Sequence, residues 1–180
     1  MINDCLSVFG CIPGDHRRSV FRPSPHLLNM QDLIESMPDE VRERVLGIIH
    51  SPFARRNGIE LVALSEDEVR MRMPIGDKMN SWGVAHGGAV FSLADQVFAL
   101  AANMGELMQV ALSANIQYVR PATGDLEAIS RMVAETRTTS VYEIRVLQGG
   151  KLVALFQGVG YKLKDDRCNG PPPDVETSRG

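Results

Sequence analysis

The 180-residue chain is poor in cysteine and has no long apolar run. Its three cysteines, Cys5, Cys11 and Cys168, lie near the two ends. Their odd number and wide spacing argue against a disulfide framework, a paired-cysteine zinc site and a cysteine nucleophile. The four histidines have no partner at metal-ligand spacing, so we expect neither a metal nor a cofactor. No apolar stretch approaches the roughly 20 residues of a spanning helix, and we expect no membrane partner.

The chain also lacks an excess of basic residues. Lys and Arg number 19 against 22 Asp and Glu, which gives a formal net charge of −3. This balance argues against a nucleic-acid partner and against anionic membranes. The weak apolar run from Leu6 to Ile12 follows Asp4 rather than a basic residue, unlike a secretory signal. We therefore expect a cytoplasmic protein.

The length favours one domain. Residues 1–28 show no sustained period and contain several prolines, which indicates an irregular N-terminal arm. Residues 29–164 are expected to form a single domain that includes an N-terminal helix. Residues 165–180 contain three consecutive prolines and no core residues, so a disordered tail is predicted.

A helix is predicted near the start of this domain. Pro38-Asp39-Glu40 is typical of a first turn, with Ser36 as its capping residue. The apolar residues then recur at i, i+4, i+7 and i+8, which gives one apolar face: Val41, Val45, Ile48 and Ile49. Ser51-Pro52 is expected to end this helix.

The remainder predicts several strands around one helix. Alternating apolar positions and turn signals mark the strand segments, namely Ile59 to Leu64, Val69 to Met73, Leu112 to Tyr118, Leu126 to Glu135, Tyr142 to Val146 and Leu152 to Leu163. Gly149-Gly150 is a hairpin-turn signal. The segment from Ala85 to Met104 is apolar nearly all round, so it must be a helix buried on most sides. The sequence thus predicts an α+β fold in which a sheet wraps a helix.

Asp95 is an exception within this apolar helix, because no other ionisable residue lies between His86 and Glu106. A buried carboxylate without a partner is costly and has a shifted pKa. Asp95 is therefore a candidate functional group. The alternative is that it lies at a wet edge of the helix.

His86-Gly87-Gly88 opens the same helix. Glycines allow a ligand to approach the backbone, and first-turn N–H groups can polarise a carbonyl oxygen. Gly88 and Asp95 share a helix face but lie about 10 Å apart along the axis. A second subunit related by a two-fold axis could bring its Asp95 to this Gly88, which makes a site at a dimer interface the simplest geometry.

The order Asn80, Gly83, His86-Gly87-Gly88 and Asp95 resembles the hotdog-fold acyl-CoA thioesterases of the PaaI-like, phenylacetate-degradation type. The resemblance covers roughly residues 50–163. Further matching segments are Pro52-Phe53-Ala54, Gly58-Ile59-Glu60-Leu61, Arg120-Pro121-Ala122 and Gly124-Asp125-Leu126.

The resemblance implies a long central helix wrapped by a curved antiparallel sheet, here with an extra N-terminal helical arm. It also implies a homodimer that pairs into a homotetramer, with acyl-CoA as the substrate. Asp95 would be the general base or nucleophile, supplied across the dimer interface, and the Gly88 N–H would polarise the thioester carbonyl. His86 would hold the loop by capping it, with acid–base catalysis as the alternative. Asn80 would orient water or contact the thioester.

Several other residues are candidates for substrate binding. Gly87 would allow close approach to the backbone, and Trp82 would line the acyl pocket or fill the dimer interface. Arg120, Arg137 and Arg145 could meet the phosphates of coenzyme A, although an arginine of this kind is more often a solvated strand residue. We favour Arg137 among them. Some members of the family that the chain resembles place a serine or threonine on the strand after the helix to position water. Ser113 is the candidate for that role here, but a plain strand serine is the favoured interpretation.

Two other functions compete with thioester hydrolysis. The first is a non-catalytic hotdog module that binds acyl-CoA as a sensor or scaffold, but such a module needs no carboxylate beside a carbonyl donor. The second is an enoyl-thioester hydratase, for which a histidine in a glycine loop is a poor match. The sequence therefore favours the hydrolase. The resemblance implies an aryl-acetyl or a medium-chain acyl group, and the choice between these classes stays open.

Overall fold

The computed structural model describes residues 30–164. The predicted N-terminal arm, the predicted tail and all three cysteines lie outside the described residues. The described part contains four helices and six strands, in the order α1-α2-α3-β1-β2-α4-β3-β4-β5-β6. The helices are α1 Met30–Ser36, α2 Asp39–Ile49, α3 Pro52–Arg56 and α4 Gly87–Ala102.

The predicted amphipathic helix is α2, and its apolar face turns inward. Val41 and Val45 are buried, while Ile48 and Ile49 are partly buried against the same core. The prediction of Ser36 as its cap is wrong. Ser36 ends α1 and donates its hydroxyl to the Leu33 carbonyl at 2.7 Å, whereas Pro38 precedes α2 without a side-chain cap bond. Two short helices separated by a proline replace the single capped helix.

Ser51-Pro52 ends α2 as predicted, but it also begins the short helix α3. The Ser51 hydroxyl oxygen accepts the Ala54 N–H at 3.2 Å, and Pro52 occupies the first turn, where its missing N–H costs nothing. From the sequence, these two residues predict only the end of α2. A serine and a proline in this order serve both purposes.

The strands form one antiparallel sheet of six in the order β1-β2-β4-β5-β6-β3. Gly149 and Gly150, both at positive φ, make the predicted turn between β5 and β6. The strand bounds are β1 Glu60–Leu64, β2 Val69–Met73, β3 Gln109–Tyr118, β4 Leu126–Glu135, β5 Thr139–Gln148 and β6 Lys151–Lys162. Each of the six strand segments marked by the sequence therefore forms a strand, and β1 and β3 are the two edges of the sheet.

Helix α4 packs along the sheet, contacting β2, β3, β4, β5 and β6. Leu93, Val97 and Leu100 are fully buried, and each contributes about 1.5–3 kcal/mol through burial. Phe98 packs against Tyr142 and Phe156 at ring-centroid distances of 5.9 Å. The predicted architecture, a buried helix wrapped by a sheet, is confirmed.

The N-terminal helices pack on the outer side of α4. Gln96 donates its side-chain amide to the Ile48 carbonyl at the end of α2, at 2.8 Å. Arg44 donates to the carbonyls of Asn103 and Gly105, just beyond the end of α4. A cation at this end also favours the helix dipole. In the described residues, no helix is long and apolar enough to cross a membrane.

Candidate active site

The site begins at the N-terminus of α4. His86 is the capping residue, and its Nδ1 accepts the Gly88 N–H at 2.9 Å. A nitrogen that accepts this bond carries no proton, so the neutral imidazole bears its proton on Nε2. The His86 carbonyl accepts the N–H groups of Ala89 and Val90, at 2.9 and 3.1 Å. The Gly87 N–H has no acceptor among the described residues.

Asn80 holds the loop that leads into α4. Its Oδ1 accepts the N–H groups of Trp82 and Val84, at 2.9 and 3.3 Å. Gly83 has a φ of +71°, which a glycine adopts without strain. The Asn80 side-chain amide nitrogen donates to no other described residue, so it remains available to a substrate or a water molecule. The loop also leaves Trp82 85% exposed.

A cleft of about 350 Å³ lies beside the start of α4. It is bounded on one side by α4 and on the other by the chain that follows β3. The Ala85 N–H donates to the Ala122 carbonyl at 2.8 Å, which joins the two sides. Two of the predicted substrate-binding residues, Gly87 and Arg120, line this cleft together, along with Ala85, Val90, Tyr118, Val119, Pro121, Ala122 and Val153.

Asp95 lies in the middle of α4, on a stripe of the helix that neither the sheet nor α2 covers fully. Gly88 is exposed, and Ser92, Asp95 and Ala99 are half-buried at successive spacings of four, three and four residues. Among the described residues the Asp95 carboxylate has no hydrogen-bond or ion-pair partner. Burial raises its pKa above the ordinary value, because desolvation penalises the charged form. A carboxylate with a raised pKa is a stronger base than an exposed one.

The structure separates other predicted residues from this end of the molecule. Ser113 is opposite Val159 in the ladder, on the face of the sheet that points away from α4, because the adjacent Gly158 faces Phe98. Arg137 lies in the β4–β5 turn, two residues before Thr139. Thr139 pairs with Tyr161, so this turn is at the end of the sheet opposite the β5–β6 hairpin. Within one chain, therefore, neither residue reaches the N-terminus of α4. Arg145 is exposed on the same outer face as Ser113.

Strand β3 is an open edge close to this site. It pairs with β6 along one side only. Most of its ten residues are exposed, including the apolar Val110 at 46% and Leu112 at 64%. An uncovered apolar edge of this length is a template for pairing with another strand. Within residues 30–164, no three His, Cys, Asp or Glu side chains cluster closely enough to hold a metal ion.

Comparison with known proteins identifies the family. The family model described as "Thioesterase superfamily" matches residues 83–154, from the glycine of the loop through α4 into β6. The chain is 35% identical over 114 residues to "Acyl-coenzyme A thioesterase PaaI" of Escherichia coli (strain K12), covering 61% of this chain and 81% of that protein. The chain belongs to the thioesterase superfamily. It is PaaI-like and a thioester hydrolase, as predicted.

Solved structures agree on the fold of this thioesterase. A mutant of the phenylacetic acid degradation protein PaaI from Thermus thermophilus is 36% identical, with a TM-score of 0.60, over 63% of this chain and 100% of that one. The E. coli PaaI protein is 28% identical, with a TM-score of 0.63, over 71% and 96% of the two chains. The hotdog fold, with its additional N-terminal helices, is confirmed.

Tyr118, which the sequence predicts only as an apolar position in a strand, lies at the candidate site. In the structure its hydroxyl donates to the Gly87 carbonyl at 3.0 Å. No local signal marks this contact, because the two residues are 31 positions apart and meet only when the end of β3 meets the start of α4.

Proposed function

We propose that this thioesterase hydrolyses acyl-CoA to the free acid and coenzyme A, with Asp95 as the reacting carboxylate. The observation that carries the proposal is a half-buried carboxylate without a partner among the described residues, on the incompletely covered stripe of α4. The E. coli relative named as an acyl-coenzyme A thioesterase supports the substrate class. Aryl-acetyl and medium-chain acyl groups are the classes to examine first.

Two chemical routes are compatible with one carboxylate and one carbonyl donor. In the first, Asp95 takes a proton from water as the water oxygen attacks the thioester carbon. The C–S bond then breaks, and the coenzyme A thiolate takes up that proton. In the second, an Asp95 oxygen attacks the same carbon and expels the thiolate, and water hydrolyses the resulting mixed anhydride.

The carbonyl oxygen of the substrate is polarised at the N-terminus of α4 in this proposal. The Gly88 N–H is the donor, at the positive end of the helix dipole. In the free enzyme this N–H donates a hydrogen bond to His86 Nδ1. A bound carbonyl must therefore share the N–H with the imidazole or displace it. The free amide nitrogen of Asn80 is placed in the adjoining loop to orient the attacking water or contact the thioester.

The complete site requires two copies of the chain in this proposal. Gly88 and Asp95 lie two helical turns, about 10 Å, apart on one helix, so a single thioester group does not reach both. Pairing of two β3 edges in a homodimer would cover the apolar edge and set the incompletely covered stripes of two α4 helices side by side. Pairs of such dimers would form the homotetramer.

The cleft beside α4 is the proposed entry for coenzyme A. Gly87 allows close approach, Arg120 offers a cation at the rim, and the exposed Trp82 is available to the acyl group or to the partner subunit. Arg137 and Ser113 could contribute only from a second subunit, because both lie away from this cleft within one chain.

The test is thiol release from a panel of acyl-CoAs, aromatic through long-chain, by the wild type and Asp95→Asn. Wild-type turnover is expected, with a loss of about 10²-fold or more in the variant, since Asn cannot act as a base or displace a thiolate. The matched control is Asp67→Asn, an exposed aspartate in the β1–β2 turn, which should retain full activity.

Two results would contradict the proposal. Equal turnover by the wild type and Asp95→Asn would show that Asp95 takes no part in the reaction. Binding of acyl-CoA without turnover of any substrate in the panel would instead support a sensor or scaffold.

A further inference from the structure

The peptide group that joins Gly87 to Gly88 is held at both of its polar ends by side chains. Its carbonyl oxygen accepts the Tyr118 hydroxyl at 3.0 Å, and its N–H donates to His86 Nδ1 at 2.9 Å. The two side chains come from different parts of the fold, the end of β3 and the residue that caps α4. The orientation of this peptide is therefore set by tertiary contacts in addition to the helix itself.

Packing reinforces the contact with Tyr118. A Cβ atom built on Gly87 would lie 3.4 Å from both the Cζ atom and the hydroxyl oxygen of Tyr118. The ring therefore lies across the backbone at the first position of α4, within van der Waals distance of where a Cβ atom would stand. Tyr118 itself is 55% exposed, so its packing does not contribute to the buried core. Its contacts are concentrated on the site.

The hydrogen bond from Tyr118 acts on the N–H of the same peptide. A donor at the carbonyl oxygen polarises the amide group and strengthens the N–H as a donor. Because the peptide is planar, fixing the oxygen also fixes the direction in which the N–H points. We propose that Tyr118 is a positioning residue that orients and strengthens the Gly88 N–H for the thioester carbonyl. This inference rests on the proposed function.

The role of Tyr118 is greatest when substrate is bound. A carbonyl that takes the Gly88 N–H weakens or replaces its bond to His86, so one of the two anchors of the peptide is lost. The Tyr118 hydroxyl bonds to the opposite end of the peptide and is not in competition with the substrate. It therefore keeps the peptide oriented while the N–H changes its acceptor.

Tyr118→Phe tests the inference because it removes the hydroxyl and keeps the ring. We expect kcat to fall about tenfold with KM changed less than twofold, since a hydrogen bond of this kind acts on the transition state. The control is Tyr161→Phe, an exposed tyrosine near the far end of β6, whose kcat and KM should match the wild type.

A second readout does not depend on turnover. The amide signal of Gly88 in an NMR spectrum reports on hydrogen bonding at the preceding carbonyl. We expect this signal to move in Tyr118→Phe and to stay in place in Tyr161→Phe.

The outcomes separate this inference from the proposed function. An unchanged kcat in Tyr118→Phe, or a rise in KM alone, would overturn the positioning role while loss of activity in Asp95→Asn upheld the hydrolase. If the wild type turned over no acyl-CoA, the proposed function would fail. The NMR signal of the Gly88 amide in Tyr118→Phe would then be the test of whether Tyr118 orients this peptide. A shifted signal would uphold the orienting contact, and an unshifted one would refute it.

Discussion

At the scale of single residues, the environment of Asp95 sets the pH dependence of the proposed reaction. Desolvation raises the pKa of Asp95, and no cation among the described residues opposes that shift. Both proposed routes need the ionised carboxylate. The same burial that makes Asp95 a stronger base therefore moves the loss of activity at low pH to a higher pH than an exposed aspartate would show.

We expect kcat/KM to fall about tenfold per pH unit on the acid side of the profile, with an apparent pKa above the ordinary value of 3.8. The measurement is kcat/KM for the best acyl-CoA between pH 3 and pH 8. An acid limb at or below the ordinary pKa of an aspartate would show that the Asp95 carboxylate is not desolvated in the working enzyme.

The pH dependence of the free energy of unfolding is an independent test of the raised pKa of Asp95. Because the pKa of Asp95 is higher in the folded state, the ionised form costs folding free energy above that pKa. The cost is relieved as the pH falls from the folded toward the unfolded pKa. Asp95→Asn should therefore be more stable than the wild type at neutral pH, and the difference should shrink with acidification.

At the scale of secondary-structure elements, the approach of α4 to β6 depends on a missing side chain. A Cβ atom on Gly158 would lie 2.8 Å from the Phe98 ring, which is itself buried between Tyr142 and Phe156. A rigid ring in a filled core cannot move aside easily. Gly158 thus sets how closely α4 lies on the sheet.

Gly158→Ala should lower the free energy of unfolding by about 1–3 kcal/mol through overpacking. The contrasting variant is Gly47→Ala in α2, where no atom lies within 4 Å of the new Cβ. Because alanine favours a helix, that variant should gain about 0.5–1 kcal/mol. Urea unfolding of both variants measures the difference, and similar stabilities would contradict the packing argument.

At the scale of the whole molecule, the two edges of the sheet differ. Strand β3 is ten residues long and exposes Leu112, whereas β1 has five residues and exposes Val62. A long apolar edge favours pairing between copies, and a short one does not. The proposed dimer therefore forms through β3.

Leu112→Lys should shift the protein from dimer to monomer and lower acyl-CoA turnover at least tenfold, because a charged side chain on the apolar edge disfavours pairing with another strand. Val62→Lys, with the same change on the other edge, should keep both dimer and activity. Light scattering with parallel assays measures both properties. A monomeric Leu112→Lys protein with full activity would show that one chain holds a complete site.

The sequence by itself determined the strands, the two longer helices α2 and α4, and the candidate chemistry. Alternation gave the strands, turn residues such as Gly149-Gly150 gave the hairpin, and apolar residues all round gave a buried helix. These signals are local, so they survive without tertiary information. Asp95 stood out for the same reason, as an ionisable residue in an apolar segment.

Only the tertiary structure decided how these residues meet. The contact of Tyr118 with Gly87 and the placement of Arg137 and Ser113 away from α4 depend on strand order and register. The contacts of Gln96 and Arg44 likewise join segments far apart in the chain. Strand order and register come from packing of the whole sheet around α4, and no local residue pattern encodes them.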